Sequence, residues 1–292
     1  MTGRVLASFR SVCDLVTDAG EVIALVSPEV GNGPLNVVLE RGPAVAVSAG
    51  ARFAVTDQVL TVGAVAVDLS RAARWDARPD WARLRARWGR RWLKPPADKV
   101  ESLLKQVPHP PGQCAEAHFD HIGRRSKSVA GPAVESAIVA FEQAWRGGSI
   151  ADLQLAVCNL LGLGPGLTPT GDDWLAGWLL GQHLGGDLRE PADPSAGSGH
   201  ALENLIAEVA AERTTTLSRA FLECAAAGEA DEDWHELLDA LAEEDANQQI
   251  SKSANQRIGE ATARIMRHGV TSGAAMLSGF FSAVEMFAFT EN

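Results

Sequence analysis

One stretch of the chain gathers residue types that do chemistry. Between Gly162 and Gly171 lie four glycines, two prolines and two threonines, and Asp172 and Asp173 follow at once. Glycines let the backbone approach a ligand or another segment closely, and prolines stiffen what the glycines would loosen. Backbone N–H groups and the hydroxyls of Thr168 and Thr170, set at a helix N-terminus, attract phosphate or carboxylate. Asp172 and Asp173 oppose a bare anion unless a cation or an arginine such as Arg213 intervenes. Mg2+ held through water is one such cation, because hard cations prefer oxygen. The plainer reading is a helix-to-helix connection closed by a capping box, with Thr170 as N-cap and Asp173 three residues on. The stretch is not a Walker A loop, since no G-K-[ST] follows. It does not match G-x-G-x-x-G either, because no strand precedes it and Pro and Thr occupy the wrong places.

Two more segments interrupt apolar helical patterns with small polar residues: Thr214-Thr215-x-x-Ser218 and Thr271-Ser272-Gly273. Helix interiors avoid Ser, Thr and Gly unless a hydroxyl or a close backbone approach is needed. Thr215 and Ser218 lie about one turn apart, which puts them on one helix face. The expectation is that Gly164–Asp173, Thr214–Ser218 and Thr271–Gly273 converge on one cavity that fits a small planar anion. Weaker candidates are His118-Phe119-Asp120-His121, which reads as a polar surface loop before a metal cluster, and Ser198, which reads as flexible linker. No serine sits in a G-x-S-x-G setting.

The whole run GLGPGLTPTGDDWLAGWLLG resembles the GxGPGLTPSxDD signature of the AllH-like family, a subunit of oxamate carbamoyltransferase. Thr214-Thr215-x-x-Ser218 is similar to that family's TTxxS helix. Gly269-Val270-Thr271-Ser272-Gly273 with Met276-Leu277-Ser278-Gly279 is similar to its GHTSGxDxLxG segment. Ser11–Leu25 and the Gly31–Pro34 turn resemble the family's opening. Two positions depart: Val270 stands for a His, and Ala275 for an Asp. The resemblance implies interconversion of oxalurate plus phosphate with oxamate plus carbamoyl phosphate in allantoin catabolism, by an enzyme built from three different subunits. On it, catalysis is assigned to Asp172, Asp173, Thr215 and Ser218. Substrate binding is assigned to Gly164, Gly166, Thr168, Thr170, Gly171, Thr214, Thr271, Ser272 and Gly273. The implied partners are a small anionic substrate and other subunits of a hetero-oligomer. The alternatives are a non-catalytic anion-binding or scaffold subunit, and a stand-alone enzyme on another small carbamoyl, carboxylate or phosphate compound.

These residues must be positioned by a fold of α+β class. Residues 1–70 hold short Val-rich runs broken by Gly and Pro, which predict a small antiparallel sheet or barrel. Residues 71–131 form a Trp/Arg-rich helix and a Pro-rich linker. From Arg71 to Lys94 nine basic residues face two acidic ones, while Trp81, Leu84, Trp88 and Trp92 recur at helical spacing. That stripe predicts tryptophans docked on the core with arginines toward water; a platform for an anionic ligand or acidic partner is the alternative. Residues 132–292 carry 3.6-residue apolar periodicity and predict an all-helical domain. The acidic run from Asp231 to Asp245 reads as a solvated helix face.

Composition bounds the function. The chain has 292 residues, 46% apolar and 22% charged, which excludes global disorder. A net charge of −11 disfavours general nucleic-acid binding. No run reaches the roughly 18 apolar residues of a membrane helix, and no signal peptide is readable. Cys13, Cys114, Cys158 and Cys224 are scattered, as in a reducing compartment, so a cytoplasmic protein is expected.

Overall fold

The computed structural model describes residues 1–41, 47–88, 131–185, 201–243 and 252–288. The His118–His121 cluster, Ser198, Trp92 and Cys114 lie outside the described residues. The chain divides into two units: Met1–Arg78 with Ala230–Glu232, and Pro79–Glu229 with Asp233–Asn292.

The first unit is one seven-stranded sheet. Its strands are β1 (Thr2–Ser8), β2 (Val12–Thr17), β3 (Val22–Val26), β4 (Asn36–Val38), β5 (Arg52–Thr56), β6 (Val59–Val62) and β7 (Val65–Asp68). Their order is β4-β3-β2-β1-β5-β6-β7. Alternating burial along β1, β6 and β7 follows the two-residue period of a strand, while β2 and β3 are buried along nearly their whole length. Val5, Cys13, Leu15, Leu25, Phe53, Leu60 and Val62 point inward and form the core.

The sheet corrects the expectation in one place. It is mixed, not purely antiparallel, because β4 runs parallel to β3. The connection that allows this holds Gly31 at φ +80°, and Asn36 Nδ2 donates to the Gly31 carbonyl at 3.0 Å. The run from Val59 to Asp68 forms the hairpin β6–β7, turned at Gly63 with φ +57°. Residues 230–232 return to this unit, where the Glu232 carboxylate accepts from Asn32 N and Nδ2 at 2.9 and 2.7 Å.

The second unit is helical. It contains α1 (Trp81–Trp88), α2 (Gly131–Gly147), α3 (Ile150–Leu160), α4 (Thr170–Gly185) and α5 (Ala201–Arg213). There follow α6 (Thr216–Ala226), α7 (Glu232–Leu241), α8 (Lys252–Ile265) and α9 (Ser272–Ala288). Helix α4 is buried almost on every side, with Trp174, Leu175, Trp178, Leu179 and Leu180 at its core. Phe141 of α2 meets Trp174 and Trp178 edge-on at 5.3 and 5.0 Å, the geometry that aromatic quadrupoles favour. Helices α4 and α9 touch backbone to backbone. A Cβ on Gly177 would lie 1.8 Å from the Met276 carbonyl oxygen, and one on Gly279 would lie 1.9 Å from that of Trp174.

The basic tryptophan helix α1 docks by its apolar stripe. Trp81 and Leu84 are buried, and Trp81 Nε1 donates to the Gly228 carbonyl at 2.8 Å. Trp81 also stacks on His183, with ring centroids 5.2 Å apart. Arg83 pairs with Asp239 of α7, and the Arg85 guanidinium donates to the His183 carbonyl at 2.9 Å. Part of the acidic face on α7 is thus met by α1, and Arg83, Arg85 and Arg87 stay exposed. No described helix is long and apolar enough to cross a membrane.

Candidate functional site

The three polar segments meet around the first turn of α4. Two tight turns bring them there: the one entering α4 after α3, and the one between α5 and α6. Gly162, at φ +74°, opens the first turn. A Cβ on it would lie 2.2 Å from the Arg213 carbonyl oxygen, so only glycine lets the two turns touch. Gly171 is pressed equally close to the Leu160 carbonyl, and Gly164 sits against the Thr170 N–H. Gly166 lies at the exposed tip, where an added Cβ would meet nothing within 4 Å.

Asp172 is the clasp between these turns. Its Oδ1 accepts from the Gly162 N–H at 2.7 Å. Its Oδ2 accepts from Ser218 Oγ at 2.8 Å and from the Thr214 hydroxyl. Asp172 is 1% exposed, and burial pushes its carboxyl above the usual range against the pull of these three donors. Thr215 is the N-cap of α6: its hydroxyl accepts the Ser218 N–H at 3.0 Å and donates to the Leu167 carbonyl. Thr214 and Thr215 therefore stand in a break between two helices, not on the face of one. The side chains of Thr215 and Ser218 are neighbours through the cap.

Asp173 looks the other way. The hydroxyls of Ser272 and Thr168 stand beside its carboxyl and favour the charged form. Those two hydroxyls lie 3.0 Å from each other across 104 residues of sequence. Its Oδ2 is buried and has no hydrogen-bond partner in the protein. Asp173 is 6% exposed. Burial pushes its carboxyl up to about 7, the neighbouring Asp172 charge adds to the rise, and the two hydroxyls hold it down. Ser272 begins α9; behind it Thr271 accepts the Ala275 N–H at 3.0 Å through its carbonyl, and Gly273 is packed against the Ile265 carbonyl.

The expected capping box does not close α4. The N–H groups of Asp172 and Asp173 are both taken by the Pro169 carbonyl, at 2.9 and 3.1 Å, and that of Gly171 by the Leu163 carbonyl. The first turn thus spends its donors internally, which lowers its value as an anion cradle. Arg213 is exposed, and its guanidinium donates to the Cys158 carbonyl at 3.2 Å. Among the described residues no third carboxylate, imidazole or thiol joins Asp172 and Asp173 in a ligand cluster. The position of Val270, where the resemblance expects His, is 78% exposed, two residues from Ser272; Ala275 is buried in α9.

Sequence reasoning missed the roles of the Gly162 N–H and the Leu167 carbonyl. Neither backbone group has a side chain to announce it. It also offered no sign that Thr168 pairs with Ser272.

Comparison with protein families agrees with this layout. The family model described as oxamate carbamoyltransferase subunit AllH matches residues 160–284. The model of the AllH family N-terminal domain matches residues 1–74. The first spans all three polar segments. No curated protein and no solved structure matches the chain.

Proposed function

The chain belongs to the AllH family, and we propose that it serves as a subunit of a cytoplasmic carbamoyltransferase that works on oxamate. The reaction interconverts oxalurate plus phosphate with oxamate plus carbamoyl phosphate, a step of allantoin breakdown. The observation that carries the reading is the match of the family model over 160–284, which contains all three converging segments.

The chemistry of the site supports it. Carbamoyl transfer needs donors aimed at the oxyanion that develops on the carbamoyl carbon, and a group that moves a proton at nitrogen. The backbone N–H groups of Gly166, Leu167 and Thr168 supply donors. Asp173 supplies a carboxyl that titrates near neutrality. Asp172, Thr214, Thr215 and Ser218 hold the two turns in register. The carboxylate and phosphate ends of the reactants need cations, and this site is rich in carboxylates. Cationic clamps are therefore assigned to the other subunits of a hetero-oligomer.

A second reading is a non-catalytic scaffold subunit. It draws on Asp172, whose oxygens are spent on the chain's own donors, and on Val270 and Ala275 in place of His and Asp. Reconstitution separates the two. The chain is co-purified with the products of neighbouring genes, and oxamate-dependent phosphate release from carbamoyl phosphate is measured. Turnover by the assembly that vanishes when this chain is left out supports the first reading only if an Asp173 variant, within an intact assembly, also loses turnover. Turnover by this chain alone indicates a stand-alone enzyme. Full turnover without it removes it from the reaction.

A further inference from the structure

We propose that Asp173 is the general acid–base of this site, exchanging a proton with the amide nitrogen that forms or breaks its bond to the carbamoyl carbon. This assignment rests on the carbamoyltransferase reading and names what that reading leaves open: which end of the reactants this chain handles. It takes the primary amide end, not the anionic end.

The argument starts from an imbalance. Asp172 and Asp173 are adjacent, both buried, and differ in what surrounds them. Asp172 accepts three donors from the chain, so most of its accepting capacity is spent within the protein. Asp173 has the Ser272 and Thr168 hydroxyls beside its carboxyl, and its Oδ2 is buried without a hydrogen-bond partner in the protein. Buried polar atoms are almost always hydrogen-bonded, and a native exception calls for a cause. An amide NH2 group is such a cause: it is neutral, it donates, and it tolerates the neighbouring Asp172 charge that would repel phosphate or carboxylate.

Position and protonation fit a proton shuttle. Ser272 and Thr168 come from opposite sides, one from the start of α9 and one from the turn before α4, and their mutual hydrogen bond fixes both hydroxyls. Ser272 and Thr168 face Asp173 as neutral hydroxyls, and Asp172 is the one charged group acting on it among the described residues. With a pKa of about 7 it exists in both forms at neutral pH, where general acid–base catalysis is most effective.

The step balances. In the direction of N–C bond formation, the oxamate amide nitrogen attacks the carbamoyl carbon of carbamoyl phosphate. The C–O bond to phosphate breaks, and phosphate leaves with that electron pair. The proton lost by the nitrogen goes to Oδ2 of Asp173. In phosphorolysis the phosphate oxygen attacks, the C–N bond breaks, and Oδ2 returns the proton to the leaving amide nitrogen.

The test uses the full chain in its assembly with oxamate and carbamoyl phosphate, followed by phosphate release from pH 5.5 to 8.5. Wild type is expected to show a rising limb near pH 7. Asp173→Asn should lower kcat by about 100-fold or more and remove that limb. Ser272→Ala should keep part of the activity and move the limb to higher pH, because it deletes a hydroxyl that favours the charged carboxylate. Thermal melts report whether each variant is folded; if Asp173→Asn fails to fold, the Ser272→Ala shift decides alone. A folded Asp173→Asn that keeps the limb and kcat within a few-fold overturns the assignment while leaving the transferase reading intact. An unmoved limb in Ser272→Ala overturns it as well. A wild-type assembly without oxamate-dependent turnover overturns the transferase reading and this assignment with it.

Discussion

Two consecutive aspartates do opposite jobs here, and the difference lies in their hydrogen bonds. Asp172 joins the Gly162 N–H, the Thr214 hydroxyl and the Ser218 hydroxyl at one buried carboxylate. Removing it strands three donors in the interior. A stranded donor costs about 1–3 kcal/mol, and charged-acceptor bonds are the stronger kind. Asp172→Ala should therefore destabilise the chain by about 3 kcal/mol or more, read as a lower midpoint in urea with an unchanged slope. Asp173→Asn strands nothing comparable, because among the described residues no backbone N–H donates to its carboxyl as that of Gly162 does to Asp172. It should stay folded, with a midpoint within about 1 kcal/mol of wild type at pH 6. If the two variants lose equal stability, the division of labour is wrong. The sequence marks both residues as a pair but does not rank them. Their ranking depends on Thr214, Ser218 and Ser272, which lie 40 to 100 residues away and reach the pair only through the fold.

At the scale of elements, the site depends on how closely α4 and α9 approach. Gly177 and Gly279 sit where each helix meets the backbone of the other, and Gly181 adds a third contact, 2.6 Å from Ala283 Cβ for an added methyl. Ser272 reaches Thr168 because α9 lies this near. Gly177→Ala would drive a methyl into the Met276 carbonyl, and overpacking of this kind costs about 1–3 kcal/mol. The expected outcome is a melting temperature lower by several degrees together with weakened turnover in the assembly. Gly259→Ala in α8 is the contrast. It meets nothing within 4 Å, so replacing a helical glycine should raise stability by about 0.5–1 kcal/mol. Equal effects from the two substitutions would contradict the close-packing account. Much at this scale was legible beforehand. The 3.6-residue periodicity of α2, α3, α8 and α9 marks amphipathic faces, and the Trp81–Leu84 spacing marks a docked stripe. The parallel pairing of β3 and β4 was not, because pairing direction depends on a path through Gly31–Pro34 that local pattern does not encode. The break before α6 was hidden too, since Thr214-Thr215 fits a helix by composition and is a cap only because Leu167 and Asp172 draw its hydroxyls outward.

For the whole molecule, the buried carboxyls set a pH dependence of stability whose sign can be worked out. Burial pushes Asp14 up to about 6, Asp173 up to about 7 and Glu285 up to about 7, with Glu142 adding to the rise at Glu285. Each binds its proton more tightly folded than unfolded. Between the unfolded value near 4 and the folded value of 6 to 7, the native state carries more protons than the unfolded chain, so stability falls as pH rises. The contribution is complete below about pH 4 and gone above about pH 7. Other groups act in the opposite sense. Hydrogen bonds from Arg52 and Thr2 hold Asp18 down, the nearby Ser27 hydroxyl, its own backbone and a hydrogen bond from Ser11 hold Glu29 down, and Ser70 holds Asp68 down. Burial works against Asp233, but bonds from His268 and Arg264 leave it lowered. These four favour the native state above about pH 4 and lose that benefit as pH falls through their folded values. Asp18, Glu29 and Asp68 are exposed, so solvent screening keeps their share small. The melting temperature should accordingly peak near pH 5, fall steadily to about pH 7.5 and then level off. In a chain of this size each kcal/mol moves it by roughly 2 °C. Asp173→Asn and Glu285→Gln remove charges that become costly in that interval, so each should flatten the fall, and the double variant should flatten it further because the two lie in separate surroundings. A wild-type melting temperature that climbs from pH 5 to pH 8 would show that the paired acids dominate and that Asp173 is not the buried, near-neutral carboxyl described here.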